Sequence, residues 1–226
     1  MSTDLVTSAP VADPPAIGNG PTRGGWRQYL AAVRMIILLT VVLGLIYPLG
    51  ITLVAQLPWL RDRANGSLVS DTSGAVVGSR LIGQGFVDAK GHPLAQWFQS
   101  RPSAAGKGWD PGSSGASNLG PSNATLVALI RDRRAAVAAF DSVPGHVVDP
   151  ADVPPDAVTA SGSGLDPDIS PAYAREQAYR VAATRGLDAG AVLALVDRCT
   201  SARALGFLGE PTVNVLRLNL AVARLG

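Results

Sequence analysis

The sequence predicts an α+β protein in which one N-terminal transmembrane helix precedes a compact extracytoplasmic domain with a short β-hairpin or small sheet and about four helices. The first observation is an uncharged apolar run, Met35 to Leu57. At about 1.5 Å per residue it forms a helix of roughly 34 Å, enough to cross a bilayer's hydrocarbon core. The second is a hairpin pattern directly after this run. The third is helical spacing of apolar residues behind capping residues in the C-terminal part.

The apolar run is best explained as an uncleaved span. A secretory signal has a shorter apolar core of about 7–15 residues and a small-residue cleavage site, and no such site closes this run. A buried helix of a soluble protein is the other alternative, but such a helix rarely has apolar side chains on all its faces. Gly44, Pro48 and Gly50 predict a kink and a surface that a partner helix can approach closely.

The charges that flank the run predict its orientation. Arg23, Arg27 and Arg34 precede it, whereas Arg61 and Arg63 follow it with Asp62 between them. The positive-inside rule therefore places the N-terminus in the cytoplasm and the domain outside the cell. Three segments result: a disordered arm over 1–25, an anchor over 26–58 with its span at about 35–57, and a domain over 59–226.

Composition excludes several classes of protein. The 226 residues carry a formal net charge of only +2, and their 19 Lys and Arg form no run, so no nucleic-acid partner is expected. Cys199 is the only cysteine, which rules out an intrachain disulfide. Because the chain has only two His and one Cys, we expect no metal site.

The first half of the domain is predicted to be a hairpin, a long loop and a helix. Two β-prone runs, 67–70 and 75–84, flank the turn sequence Asp71–Gly74. Residues 85–120 are rich in Gly, Ser and Pro and predict mostly loop, with a strand near Gln96–Gln99. Ser122 or Asn123 then caps a helix that runs to about Phe140.

The second half is predicted to be helical. Ser170 is a candidate N-cap with Pro171 at the first helical position, and this helix should end at Gly186. Asp188 caps a second helix through about Cys199. The segment 211–224 has leucines and a valine that also alternate as in a strand, but its Leu and Ala content favours a helix.

Motifs for catalysis are incomplete. Gly78 and Gly83 have the spacing of a phosphate-binding loop, but Gln84 and Gly85 replace the Lys and the hydroxyl residue that phosphate and Mg²⁺ require, so a strand followed by a bulge is expected. Serines occur at 113–114 and 161–163, but none lies in a nucleophile-elbow sequence, and His92 and His146 lie in loops. We therefore assign no catalytic residue and no metal ligand, and the cofactor-binding residues stay unknown.

Two polar segments, 101–104 with 117–123 and 160–170, have two possible roles. Gly permits left-handed conformations and Ser, Asn and Asp bond the backbone, so each segment can form a rigid scaffold turn. The functional alternative is a docking surface or an anion site at a helix N-terminus. The candidate docking residues are Arg101, Asn118, Gly120, Asn123, Ser161, Gly162, Ser163, Gly164 and Asp166.

The polar segments also carry a family resemblance. The sequences LIGQGF (81–86), FQSRPSA (98–104), SNLGPSN (117–123), VTASGSGLDPDISP (158–171) and GFLGEPTVNVLRLNLAV (206–222) follow a single N-terminal span. Together they resemble KdpC, the C subunit of the Kdp potassium-transporting P-type ATPase. The resemblance runs from about Trp26 to the C-terminus and departs from the family in the N-terminal arm and in the stretch 87–94.

The resemblance implies a non-catalytic accessory subunit in a bacterial plasma or inner membrane. Its implied partners are a channel-like A subunit, an ATP-hydrolysing B subunit and a small F subunit. The family is described as an assembly factor and a catalytic chaperone that raises the ATP affinity of the B subunit. ATP is thus implied through the partner, although a domain outside the cell does not reach cytoplasmic ATP.

Two alternatives remain open at this stage. One is an anchored extracytoplasmic hydrolase that uses Ser163 or Ser114 with His92 or His146. The other is a membrane-tethered ligand-binding module.

Overall fold

The computed structural model describes residues 25–225, so the predicted disordered arm lies, apart from Gly25, outside the described residues. The chain divides into two compact units, with the division between Leu57 and Pro58.

The first unit contains a continuous helical run, Gly25–Ala55, in which an 18-residue stretch has a mean hydropathy of 2.5. By length and composition it is able to cross a membrane. It comprises α1 (Gly25–Val41), a π turn (Val42–Ile46) and α2 (Tyr47–Ala55). The helix begins ten residues before the predicted start of the span at Met35, because the segment 25–34, which includes Arg27 and Arg34, is part of the same helix.

The predicted kink at Pro48 takes the form of a widened turn. Proline has no N–H, and its ring collides with the carbonyl four residues earlier in a regular α-helix. Here the N–H of Tyr47 donates to the carbonyl of Val42, five residues back, and this π geometry lies directly before the proline. The hydroxyl of Thr52 donates to the Pro48 carbonyl at 2.8 Å. The disturbance is therefore confined to about one turn.

The second unit begins with a short helix and the predicted hairpin. α3 spans Pro58–Ala64, and β1 (Leu68–Ser70) pairs antiparallel with β2 (Val76–Ser79). The carboxylate of Asp71 accepts bonds from the backbone N–H groups of Ser73 and Ala75, at 2.8 and 3.1 Å, which closes the turn. The hairpin prediction is confirmed, although its second strand ends five residues earlier than the predicted run.

The predicted strand near Gln96–Gln99 is wrong. Its backbone bonds to amide side chains instead of to a neighbouring strand. Asn219 Oδ1 accepts from the N–H of Phe98 at 2.8 Å and its Nδ2 donates to the Phe98 carbonyl at 3.0 Å. Gln177 makes the same paired contact with Gln99, at 2.6 and 3.1 Å. Two helix-borne amides thus satisfy an extended segment that passes through the core.

Three of the helices that follow the hairpin begin at predicted caps. The helices after the hairpin are α4 (Ala124–Asp141), α5 (Pro155–Val158), α6 (Pro171–Arg185), α7 (Ala189–Cys199) and α8 (Val215–Val222). Asn123, Ser170 and Asp188 accept backbone bonds at the starts of α4, α6 and α7. Gly186 ends α6 with a φ of 67°. The side chain of each capping residue thus defines a helix start that its sequence indicated.

The segment after Pro211 contains both a strand and a helix. β5 (Thr212–Asn214) is the central strand of an antiparallel sheet whose outer strands are β3 (Asp168–Ile169) and β4 (Thr200–Ser201). Asn214 then caps α8. The predicted continuous helix from 211 is wrong for Thr212–Asn214. These residues are extended because β3 pairs with them on one side and β4 on the other.

The core of the domain lies around α6. The helix packs on α7 and on α4, and its Ala174, Ala178 and Val181 are fully buried. α6 also carries Gln177 and Arg180 into the interior. Such buried polar side chains need partners, and they bond to the extended segment 95–99.

Candidate docking surface

The domain has an open cleft of about 650 Å³, and the two predicted polar segments meet there. One wall is the segment 160–167, and the other includes Arg101 and the residues that follow β2. The lining residues are Leu81, Ile82, Arg101, Ala160, Ser161, Gly162, Ser163, Leu165, Asp166 and Pro167. We refer to this concavity as the cleft.

An ion pair joins the two walls. Nη1 of Arg101 donates to Oδ2 of Asp166 at 3.0 Å, and both side chains are mostly buried, with 24% and 31% exposed. The same guanidinium lies 3.4 Å from the Thr159 carbonyl. Oδ1 of Asp166 accepts the N–H of Asp168 at 3.0 Å. Asp166 therefore both holds its own loop and fixes it to the opposite wall.

Backbone contacts of small residues tighten this junction. The hydroxyl of Ser103 donates to the carbonyl of Gly164 at 2.6 Å. The carbonyl of Ser163 accepts from the N–H of Gly115 at 2.9 Å and from the hydroxyl of Ser114 at 3.0 Å. The loop 160–167 is thus bonded at two points to the long connection between β2 and α4, which is far from it in sequence.

Two glycines allow the loops to approach closely. Gly164 has a φ of +67°, and a Cβ there would lie 2.7 Å from the N atom of Ala105. A Cβ on Gly83 would lie 2.5 Å from the carbonyl oxygen of Asp166. The backbone of Gly83 also donates to the carbonyl of Leu165 at 2.8 Å. A side chain at either position would push the walls apart.

The structure brings together only some of the predicted docking residues. Arg101, Ser161–Ser163 and Asp166 line the cleft, and Gly164 holds its wall. Asn118, Gly120 and Asn123 are not among the lining residues. Asn123 instead caps α4, and none of the residues that the structure describes lies within 4 Å of the position of a Cβ on Gly120.

Sequence reasoning did not place Ser103, Ser114 and Gly115 in this junction. Their contacts are single bonds between irregular loops, so they leave no periodic signal in the sequence. A resemblance over 98–104 pointed to the right segment, but only the fold shows which of its side chains meet the loop 160–167.

The geometry gives no support to a hydrolase. His92 contacts Asp88, and the ring of His146 stacks on Tyr179 with 3.7 Å between the ring centroids. The hydroxyls of Ser114 and Ser163 bond to the backbone of the loop junction. Within residues 25–225, neither histidine is hydrogen-bonded to either serine.

The residues around Gly78 do not fit a nucleotide phosphate. Nε2 of Gln84 fills the space above Gly78, only 1.8 Å from where a Cβ would be, and it donates to the Val77 carbonyl at 3.0 Å. The space that a phosphate would need is thus taken by the chain itself. Among the residues described, no cluster of three or more His, Cys, Asp or Glu could hold a metal ion.

Comparison with known proteins decides the family. Residues 29–224 match the family model for KdpC, described as the c chain of the K⁺-transporting ATPase. The chain belongs to the KdpC family. As a KdpC chain it is a subunit of a K⁺-transporting ATPase complex, which agrees with the one long apolar helix found among the described residues.

Curated KdpC relatives match nearly the whole chain. It is 54% identical to the potassium-transporting ATPase KdpC subunit of Kineococcus radiotolerans over 87% of this chain and 93% of that protein. It is 48% identical to the KdpC subunit of Streptomyces coelicolor, over 88% and 93%. Identity to the KdpC subunit of Mycobacterium tuberculosis H37Rv is 47%, over 88% and 99%.

Proposed function

We propose that this chain is a non-catalytic accessory subunit that stabilises the assembly of an ATP-driven potassium uptake complex. Its partners in this proposal are the channel-like A subunit, the ATP-hydrolysing B subunit and the F subunit. The K⁺ ion is the cargo of the complex, and the catalytic activity resides in the B subunit.

The observation that carries the proposal is the cleft. Its two walls are fixed by the Arg101–Asp166 ion pair and by backbone contacts. At its edge Gly162 is exposed to solvent and Ser161 is half-exposed. A concave surface that is already rigid loses little conformational entropy when a partner binds. We infer that a loop of a partner subunit docks in this cleft.

The effect on ATP affinity is proposed to be indirect. The residues around Gly78 do not fit a phosphate, and the charge pattern favours a domain outside the cell. In this proposal the chain acts as a catalytic chaperone by holding the membrane subunits in the arrangement in which the B subunit binds ATP.

The docking role predicts a defect from a bulky side chain at Gly162. No atom of the described residues lies within 4 Å of the position of its Cβ, so Gly162→Trp should leave the melting temperature nearly unchanged. It should lower recovery of the partner subunits in co-purification roughly tenfold, which corresponds to about 1.4 kcal/mol of lost binding. Asp166→Ala is a less clean probe because Asp166 also holds its own loop.

Two further substitutions are controls for the Gly162→Trp result. Ala191→Trp, on the exposed face of α7 and outside the lining residues, should assemble normally. Gly120→Trp, in equally open surroundings, tests the segment 117–123. Normal assembly of Gly162→Trp, or loss in Gly120→Trp alone, would show that the cleft is not the docking surface.

The proposed orientation predicts labelling from outside the cell. Ser113 is exposed in the loop beside the cleft, whereas Ser114 bonds to Ser163, so Ser113 is the better position for a probe. In a Cys199→Ala background, Ser113→Cys should react with a membrane-impermeant thiol reagent in intact or outer-membrane-permeabilised cells. If Ser113→Cys in an assembled complex reacts only after lysis, the domain lies on the cytoplasmic side and the proposed topology is wrong.

The span is proposed to pack against a partner helix at its small residues. Among residues 25–225, a Cβ on Gly44 would contact only its own helix at 3.9 Å, and one on Gly50 would contact nothing within 4 Å. Gly44→Leu and Gly50→Leu should therefore leave insertion intact but lower co-purification with the partner subunits. Ile36→Leu in the same helix is a control, and unchanged yield with both glycine variants would argue against a partner at this surface.

A further inference from the structure

The interior of the domain contains a carboxyl pair that the proposed function does not use. Asp141 at the end of α4 is 1% exposed, and its Oδ1 accepts from Nε of Arg180 at 2.6 Å. Its other oxygen, Oδ2, is buried without a donor among the described residues, and so is Oε1 of Glu176 on α6. Buried carboxylate oxygens without a donor are costly, so each such oxygen calls for an explanation.

We propose that Asp141 and Glu176 form a proton-binding site, in which one proton shared between the two carboxyls joins the end of α4 to α6. The two side chains lie within hydrogen-bonding reach of one another. Two ionised carboxylates cannot bond, because both are acceptors, whereas a carboxylic acid donates to a carboxylate. A single proton therefore allows a hydrogen bond between the two carboxyl groups, in which Oδ2 of Asp141 and Oε1 of Glu176 otherwise have no donor among the described residues.

The surroundings decide which carboxyl holds the proton. Burial raises the pKa of Asp141 above its ordinary value, but the Arg180 guanidinium opposes this rise by its charge and by donating to Oδ1, so Asp141 is the member of the pair that is held as the anion. Burial, followed by the charge of Asp141, raises the pKa of Glu176 to about 7. Glu176 thus keeps a proton in the folded protein at pH values at which an exposed glutamate has lost it.

Other charged groups face the pair and contribute to the balance. Asp152 and Asp156 add negative charge near Glu176, and His146 adds positive charge near Asp141 when it is protonated. Tyr173 lies on the same face of α6, and Asp149, Arg175 and Asp197 line the adjoining depression, where Arg175 is paired with Asp197. The acids outnumber the uncompensated cations, which favours proton retention on Glu176.

The site makes folding stability depend on pH. The unfolded chain loses the Glu176 proton near pH 4.5, whereas the folded chain keeps it to about pH 7. Stability should therefore fall as pH rises from about 5 to 7 and then level off. Because Glu176 is only half-buried, we expect a modest fall in Tm, about 3–6 °C for a domain of this size.

The test compares melting of the full chain in mild detergent between pH 5 and 8. In Glu176→Gln the amide donates to Asp141 permanently, so its Tm should vary less with pH than that of the wild type. This variant keeps His146, whose own contribution is therefore common to both proteins. Glu210→Gln, at an exposed acid paired with Arg203, should keep the wild-type slope.

A direct measurement does not depend on any variant's stability. Infrared difference spectroscopy of the wild type should show a protonated carboxyl band at pH 6 that disappears above pH 8, and the band should be absent from Glu176→Gln. A Tm that does not depend on pH, an equal slope in Glu176→Gln, or the absence of this band would each overturn the proposal.

Discussion

Replacing Arg180 with Met is expected to lower the free energy of unfolding by about 3–5 kcal/mol, because it leaves a buried carboxylate without its partner. Arg180 is 2% exposed, and it bonds to Asp141, to Gln177 and to the carbonyls of Ala95 and Trp97. Its guanidinium also lies over the ring of Phe140, 4.4 Å from the centroid. Methionine fills similar space but replaces none of these hydrogen bonds. The variant therefore lacks the side chain that connects α6 to α4 and to the extended segment 95–99.

Urea unfolding of the full chain in detergent measures this effect. Arg175→Met is the matched control, because Arg175 on the same helix pairs with Asp197 at the surface, where the side chains are 53% and 59% exposed. Exposed pairs contribute at most about 1 kcal/mol, so this variant should remain close to the wild type. Equal stability of the two variants would mean that the buried pair does not hold the domain together.

Gly164→Val is expected to have the second large effect, a loss of about 3 kcal/mol or more. Its φ of +67° is unfavourable for a β-branched residue, and the new Cβ would lie 2.7 Å from Ala105 N and 2.8 Å from the Gly115 carbonyl oxygen. The loop 160–167 would have to move away from both neighbours, so the cleft should also lose its shape.

Gly162→Val separates this effect from a general sensitivity of the loop. Gly162 lies two residues away, has open space around it and does not need a left-handed conformation. Its valine variant should unfold within about 0.5 kcal/mol of the wild type. If both valine variants were equally unstable, the damage would come from the loss of loop flexibility and not from the close approach at Gly164.

The candidate site was predictable in part. The Gly and Ser content of 160–164, together with Asp166, indicated a rigid loop, and Arg101 was recognised through its segment. The segment 117–123, which contains Asn118 and Asn123, has a similar composition. However, Asn123 is a helix cap, and Asn118 is not among the residues that line the cleft. Composition identifies residues that can bond the backbone, but it does not show which distant loop lies within reach.

The features that sequence alone determined are those governed by near neighbours. The apolar run indicates a span because hydrocarbon-core thickness sets a minimum helix length. Asp188, Ser170 and Gly186 indicate helix ends because a cap acts within three or four residues. The hairpin follows from the turn residues at 71–74 in the same way.

Only the tertiary structure decided the features that depend on distant side chains. Residues 98 and 99 are held by amides that are 121 and 78 positions away, so a local pattern predicted a strand for which the described part of the chain supplies no partner strand. Thr212–Asn214 is extended because β3 and β4 pair with it on both sides. Asp141 and Arg180 are 39 positions apart, and neither is distinguishable in sequence from an exposed residue on a helix. Their burial depends on how α4 and α6 pack, because only that packing removes both charges from water.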